Sequence, residues 1–150
     1  MDPSLDEAAS QLYRVSMALA RRLGTPDPVK ATGHELTRPQ LAALVWLGRE
    51  GAMKVGELAK RIGATPSRGT RVVDALLEKG LVERRPSPRD RRVVLVEVTR
   101  EGAAAARALE RFTLDTTRQI LRPLSVEDRR ALVDIFGRLV EALGQEPPHG

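Results

Sequence analysis

The chain has 150 residues, no cysteine, two histidines, and 25 Lys+Arg against 20 Asp+Glu for a formal net charge of +5. The absence of cysteine excludes a disulfide framework, a thiolate zinc site, an iron–sulfur cluster and a thiol-based redox sensor; His34 and His149 alone argue against a multi-histidine metal site. No run approaches the roughly 20 apolar residues of a membrane span, and Met1-Asp2-Pro3-Ser4 carries no hydrophobic leader, so a cytoplasmic protein without a membrane partner is expected.

One Trp, one Tyr and two Phe leave the core to aliphatic side chains, which suits packed helices better than a β-sandwich. In chain order, Ser4-Leu5-Asp6-Glu7 has the form of a capping box. Behind it Leu5, Ala9, Leu12, Ser16, Leu19 and Leu23 recur at steps of three and four, one stripe of a long helix. Gly24-Thr25-Pro26-Asp27-Pro28 stops it, and 24–36 reads as a loop without a regular element. Thr37-Arg38-Pro39-Gln40 is a second capping box, opening a helix that carries Leu41, Leu44, Val45 and Leu47 and ends between Gly48 and Gly51.

Val55 to Ile62 predicts a short amphipathic helix with Leu58, Ala59 and Ile62 inward, closed by Gly63. Thr65 is a good N-cap, and Pro66 takes the first helical position, where its missing N–H costs nothing. That helix runs to Lys79 with Val72, Val73, Leu76 and Leu77 inward, and Gly80 ends it. Two helices meeting at Ile62-Gly63-Ala64-Thr65 form a helix-turn-helix. After Gly80 the period changes from 3.6 to 2: Leu81 to Arg85 is a strand, Pro86 to Arg91 a polar connection, and Val94, Val96 and Val98 alternate along a second strand. The neighbourhood of Lys54 is a candidate short third strand.

Thr99 then caps a helix with Leu109, Phe112, Thr116, Ile120 and Leu121 on its apolar face, ended by Pro123. Ser125 caps a last helix carrying Leu132, Val133, Phe136, Leu139, Val140 and Leu143, and 145–150 reads as a frayed tail. The fold class is therefore mainly α with a small β-hairpin: a winged helix-turn-helix over 37–99, flanked by an N-terminal dimerisation helix and loop (1–36) and C-terminal dimerisation helices (100–150), one compact domain overall.

The segment Glu57-Leu58-Ala59, Thr65-Pro66-Ser67, Leu76, Lys79-Gly80-Leu81-Val82-Glu83-Arg84, Asp90-Arg91-Arg92, Val98-Thr99 and Gly102, in that order and spacing, resembles the MarR (multiple antibiotic resistance regulator) family of bacterial transcription factors. The resemblance implies a homodimeric DNA-binding regulator, usually a repressor, often released from DNA by a small aromatic acid or phenol. The chain departs from the family pattern at Ala75, where members commonly carry an arginine that can pair with the wing aspartate. Asp90 then needs another partner, either Arg92 itself or Arg71.

The charge supports a polyanion partner. Between Lys54 and Arg92 lie eleven basic and five acidic side chains, a surplus of six against +5 for the whole chain. On the helix after Thr65, the face away from the core carries Ser67, Arg68, Thr70, Arg71 and Asp74. Arg68 and Arg71, three apart, project from one side and offer the fork that reads guanine O6 and N7. On a lone helix such a pair merely solubilises a face; in a helix-turn-helix it faces the major groove. The exposed N–H groups around Thr65 favour a phosphate. The wing tip adds Ser87, Arg89, Asp90, Arg91 and Arg92, with Arg92 the candidate for minor-groove insertion, Asp90 bracing it, and Arg89 and Arg91 as phosphate contacts. Lys54, Lys60 and Arg61 are outer phosphate contacts or plain surface charges.

A winged helix is complete without the terminal helices, whose stripes need a cover. Packing against a second copy gives a two-fold dimer reading a pseudo-palindromic site in double-stranded DNA; an intrachain bundle of those helices is the competing arrangement. Candidate effector contacts are Arg22 (a carboxylate partner or a solvated charge), His34 (a pH sensor, a subunit contact or a surface histidine) and Trp46 (stacking an aromatic ring or filling core). No cofactor is expected and nothing points to an enzyme: there is no phosphate-binding glycine loop or Gly-x-Ser-x-Gly, and Asp6-Glu7 and Glu127-Asp128 suit helix N-termini. The alternatives to a specific regulator are a sequence-indifferent architectural winged helix and a winged helix used for protein contact.

Overall fold

The computed structural model describes residues 3–23 and 27–144. The chain divides into two compact units, Met1–Leu109 and Glu110–Gly150.

The first unit opens with helix α1 (Pro3–Leu23), whose described side chains are all exposed. Helix α1 starts at Pro3, which suits a first helical turn, so Ser4 lies within the helix, and Glu7 accepts a hydrogen bond from Gln11 at 3.2 Å. The stop at 24–26 lies outside the described residues. The stretch read as plain loop contains a short helix, α2 (Pro28–Thr32). Asp27 Oδ1 accepts the Val29 and Lys30 N–H groups at 3.0 and 3.5 Å, and the Gly33 N–H closes the other end on the Val29 carbonyl at 2.8 Å. The Asp-Pro start and glycine stop are the punctuation also used around Pro66, compressed into a single turn.

Helix α3 (Arg38–Glu50) starts at Thr37, whose N–H donates to Gln40 Oε1 at 3.0 Å. It is followed by α4 (Val55–Arg61) and α5 (Pro66–Glu78), then by an antiparallel hairpin of β1 (Val82–Pro86) and β2 (Val94–Val98), in which Val82 faces Val98 and Arg84 faces Val96. The first strand begins one residue later than its sequence suggests. The Leu81 N–H is committed to the Leu76 carbonyl at the end of α5, and the Leu81 carbonyl accepts from Thr99 N–H. The candidate third strand shrinks to one bridge, in which Met53 and Val96 exchange backbone hydrogen bonds at 3.0 and 2.9 Å.

The core of this unit joins Leu44 and Leu47 from α3, Leu58 from α4, Val73 and Leu76 from α5, and Leu81 and Val96 from the hairpin. Two glycines let backbones approach where a side chain would not fit. A Cβ on Gly69 would lie 2.5 Å from Ala59 Cβ, so the helix-turn-helix crossing is set by that pair. A Cβ on Gly102 would overlap the Leu81 carbonyl oxygen. This gives the Thr99-x-x-Gly102 spacing its reason. Thr99 Oγ1 donates to the Gly80 carbonyl at 2.7 Å and accepts the Gly102 N–H at 3.1 Å, holding the start of α6 (Arg100–Leu121) against the end of α5.

In the second unit, Ser125 caps α7 (Val126–Gly144), its Oγ accepting the Asp128 N–H at 3.0 Å. Arg129 turns back to donate to the Leu121 and Arg122 carbonyls at 3.0 and 3.1 Å, satisfying the C-terminal end of α6. No residue of α7 is buried, and Val133, Phe136, Leu139, Val140 and Leu143 are exposed. The tail at 145–150 lies outside the described residues. No helix among the described residues is long and apolar enough to cross a membrane.

Candidate nucleic-acid interface

Helix α5 turns one face inward through Gly69, Val72, Val73 and Leu76 and the other outward through Ser67, Arg68, Thr70, Arg71 and Asp74. Thr65 caps it, Oγ1 accepting the Arg68 N–H at 3.4 Å, with the Ser67 hydroxyl 3.4 Å from the same oxygen. Thr70 Oγ1 donates to the Pro66 carbonyl at 3.1 Å, so its hydroxyl presents lone pairs rather than a proton to a ligand. No ion pair among the described residues engages Arg68 or Arg71; both guanidinium forks stand in solvent.

The wing tip is a turn that satisfies itself. The Ser87 N–H donates to the Val93 carbonyl at 2.7 Å and Val93 returns to the Asp90 carbonyl at 2.9 Å. Ser87 Oγ accepts the Arg89 N–H at 3.3 Å, and Asp90 Oδ1 accepts the Arg92 N–H at 3.0 Å. Asp90 thus takes Arg92 as its partner through the backbone, not through a guanidinium, and leaves Arg71 alone. The side chains of Arg89, Arg91 and Arg92 remain exposed around a turn whose shape does not depend on them.

Other basic groups are committed. Arg61 sits over the Trp46 ring, 5.0 Å from its centroid, and pairs with Glu50 at 2.7 Å and Glu57 at 3.6 Å. It anchors α4 to α3, whereas Lys54 and Lys60 are exposed. Arg85 crosses to Glu97 at 2.7 Å, easing the direct opposition of Glu83 and Glu97. Arg84 pairs with Asp74 at 2.9 Å, tying α5 to the hairpin. Sequence reasoning missed this last pair. The signal was present: strand alternation puts Arg84 on the face of buried Val82, toward the helix, while Glu83 points away.

The three candidate effector residues sit in separate surroundings. Arg22 is exposed near the end of α1. His34 lies in the loop after α2, its Nε2 3.4 Å from Glu101 Oε1 and its backbone N–H on Thr32 Oγ1 at 3.2 Å. Trp46 packs against the core with Arg61 over its ring.

Helix-turn-helix, hairpin and two arginine-bearing prongs define a winged-helix protein with a DNA-binding fold. The MarR family model matches residues 36–94. An HTH-type transcriptional regulator of Mycobacterium leprae is 34% identical over 93% of this chain and 94% of its own length. The crystal structure of RV1404 from Mycobacterium tuberculosis superposes with a TM-score of 0.75 at 26% identity, covering 99% of this chain and 100% of that one. PcaV from Streptomyces coelicolor, solved with its natural ligand, gives a TM-score of 0.59 at 25% identity over 91% of each chain. The chain belongs to the MarR family, whose members are DNA-binding transcriptional regulators and not enzymes.

Proposed function

We infer that this regulator acts as a homodimeric repressor of a pseudo-palindromic operator. The observation that carries the reading is the contrast among its basic groups: Arg61, Arg84 and Arg85 are consumed by internal ion pairs, while Arg68 and Arg71 on α5 and Arg89, Arg91 and Arg92 on the wing are not. Uncompensated guanidinium groups on a capped helix and a self-bonded turn suit a major groove flanked by phosphates and an adjacent minor groove. Thr65, Ser67 and Thr70 add hydroxyl oxygens beside the helix start, and Ser87 and Asp90 fix the wing tip.

The dimer reading rests on the uncovered apolar side chains of α1 and α7, among them Leu12, Tyr13, Val133, Phe136 and Val140, which a second copy would remove from water. Two recognition helices then address half-sites about 34 Å apart. That a small ligand acts on this chain draws support from PcaV, which was solved with its natural ligand; a small aromatic or phenolic releasing signal is what the family resemblance implies, and Arg22, His34 and Trp46 are the residues offered to it.

The test is selection of bound fragments from the source genome, followed by the ratio of operator to random-DNA affinity and the mass of the complex. A specific repressor gives a preference of about 10³ or more with two chains per site; less than about tenfold assigns the chain to sequence-indifferent packaging. Binding to neither DNA at low salt assigns it to protein contact.

A further inference from the structure

The Asp74–Arg84 pair bears on how the proposed DNA site discriminates, and it rests on that functional reading. Asp74 follows Arg71 by one turn on the outward face of α5. Duplex DNA carries one negative charge per roughly 1.7 Å of axis, so a bare carboxylate at this place opposes any approach of the helix. Arg84 reaches it from β1 at 2.9 Å, across from the buried Val96. The two side chains are 43% and 52% exposed, and exposed pairs of this kind contribute little to folding. Stability therefore does not explain the pair. Asp90 is satisfied within its own turn, so among the described residues Asp74–Arg84 is the ion pair that links this helix to the hairpin.

We propose that Asp74 and Arg84 are a charge-masking pair: Arg84 neutralises the Asp74 carboxylate beside the recognition helix and does not itself bind phosphate. Held by Asp74, Arg84 is withdrawn from sequence-indifferent attraction to the backbone. Arg68 and Arg71 then stand on the same helix as unpaired guanidinium groups beside a neutralised carboxylate. Loss of Asp74 releases a phosphate-seeking cation, which favours random DNA over the operator. Loss of Arg84 unmasks a carboxylate against the duplex.

The experiment measures operator and random-DNA affinity against salt for full-length wild type, D74N, R84Q and D74N/R84Q, with thermal melts to show that all four fold. R84Q is expected to lose about tenfold or more in operator affinity, and D74N/R84Q to recover to within about threefold of wild type because neither charge remains. D74N is expected to bind random DNA more tightly and to steepen the slope of log K against log salt by about 0.9, one added phosphate contact. If the wild type is specific but R84Q and the double variant are equally weak, Arg84 is a direct phosphate contact and the proposal fails. If all four bind alike, the pair does nothing for recognition and the proposal also fails. A wild type with no operator preference is a different failure, one that removes the functional reading beneath it.

Discussion

The winged helix and the terminal helices are built on opposite terms. In the first, Leu44, Leu58, Val73, Leu76, Leu81 and Val96 have no accessible surface, and two glycines are pressed against neighbouring backbone or Cβ atoms. In α1 and α7 the large apolar side chains lie open, Leu12 at 70%, Val140 at 69% and Leu143 at 84%. Both regions are amphipathic in sequence. What separates them is where the complementary surface resides: inside the same chain for the winged helix, and, on the functional reading, in a second copy for the terminal helices. The first region is held by intramolecular packing; on that same reading the second is completed by association.

The largest expected effect breaks the packed side of this contrast. Leu44→Ala should destabilise the folded chain by about 2–5 kcal/mol, the transfer term plus the cavity left in a rigid core. Chemical denaturation with unchanged slope is the measurement. A loss under about 1 kcal/mol would mean that this core relaxes freely, and the two regions would not differ as described.

Next is the open side. Phe136→Asp on α7, 58% exposed in one chain, should leave the helix content of the winged helix intact and weaken dimerisation by about 2–4 kcal/mol. Sedimentation across a concentration series reads it. An unchanged association constant would place the dimer surface elsewhere.

The third prediction separates the two prongs. Arg68→Ala and Arg92→Ala should each cost about 1–3 kcal/mol on the operator, with base preference relaxed at the half-site centre for the first and at its flank for the second. A uniform loss on all sequences, with the salt slope reduced by about 1, would reassign either residue to phosphate.

How far these terms could be read without coordinates follows the same division. The winged helix announces itself through local chemistry: Thr65-Pro66 at a start, Gly80 at a stop, and a change of period after it. The Thr99-x-x-Gly102 spacing is visible as a pattern, but its cause, the Leu81 carbonyl lying against Gly102, is a contact between distant segments that no local rule supplies. The short helix α2 was legible in principle, since Asp27-Pro28 and Gly33 are cap signals; two prolines and two glycines in one stretch masked them. At the interface, the residue types that face a duplex are legible from spacing. Which arginines stay free for it is not, because the partners that occupy Arg61 and Arg84 come from other elements: Glu50 on α3 and Asp74 on α5.

The smallest expected effect tests the outer face of the hairpin, the side turned away from the core. Only Val82 and Val96 of the hairpin's paired residues are buried, and the outer face sets Glu83 opposite Glu97. Like charges in direct register destabilise a strand pair, and Arg85, diagonal to Glu97 at 2.7 Å, offsets that repulsion. Arg85→Ala removes the offset and should cost about 0.2–1 kcal/mol. Its diagnostic is ionic strength. Screening shrinks from about 10 Å at 0.1 M to about 3 Å at 1 M, so a loss that is electrostatic in origin fades as salt rises. A loss that persists in 1 M salt belongs instead to the aliphatic stem of Arg85 lying on the strand, and would class the wing with the packed part of the molecule.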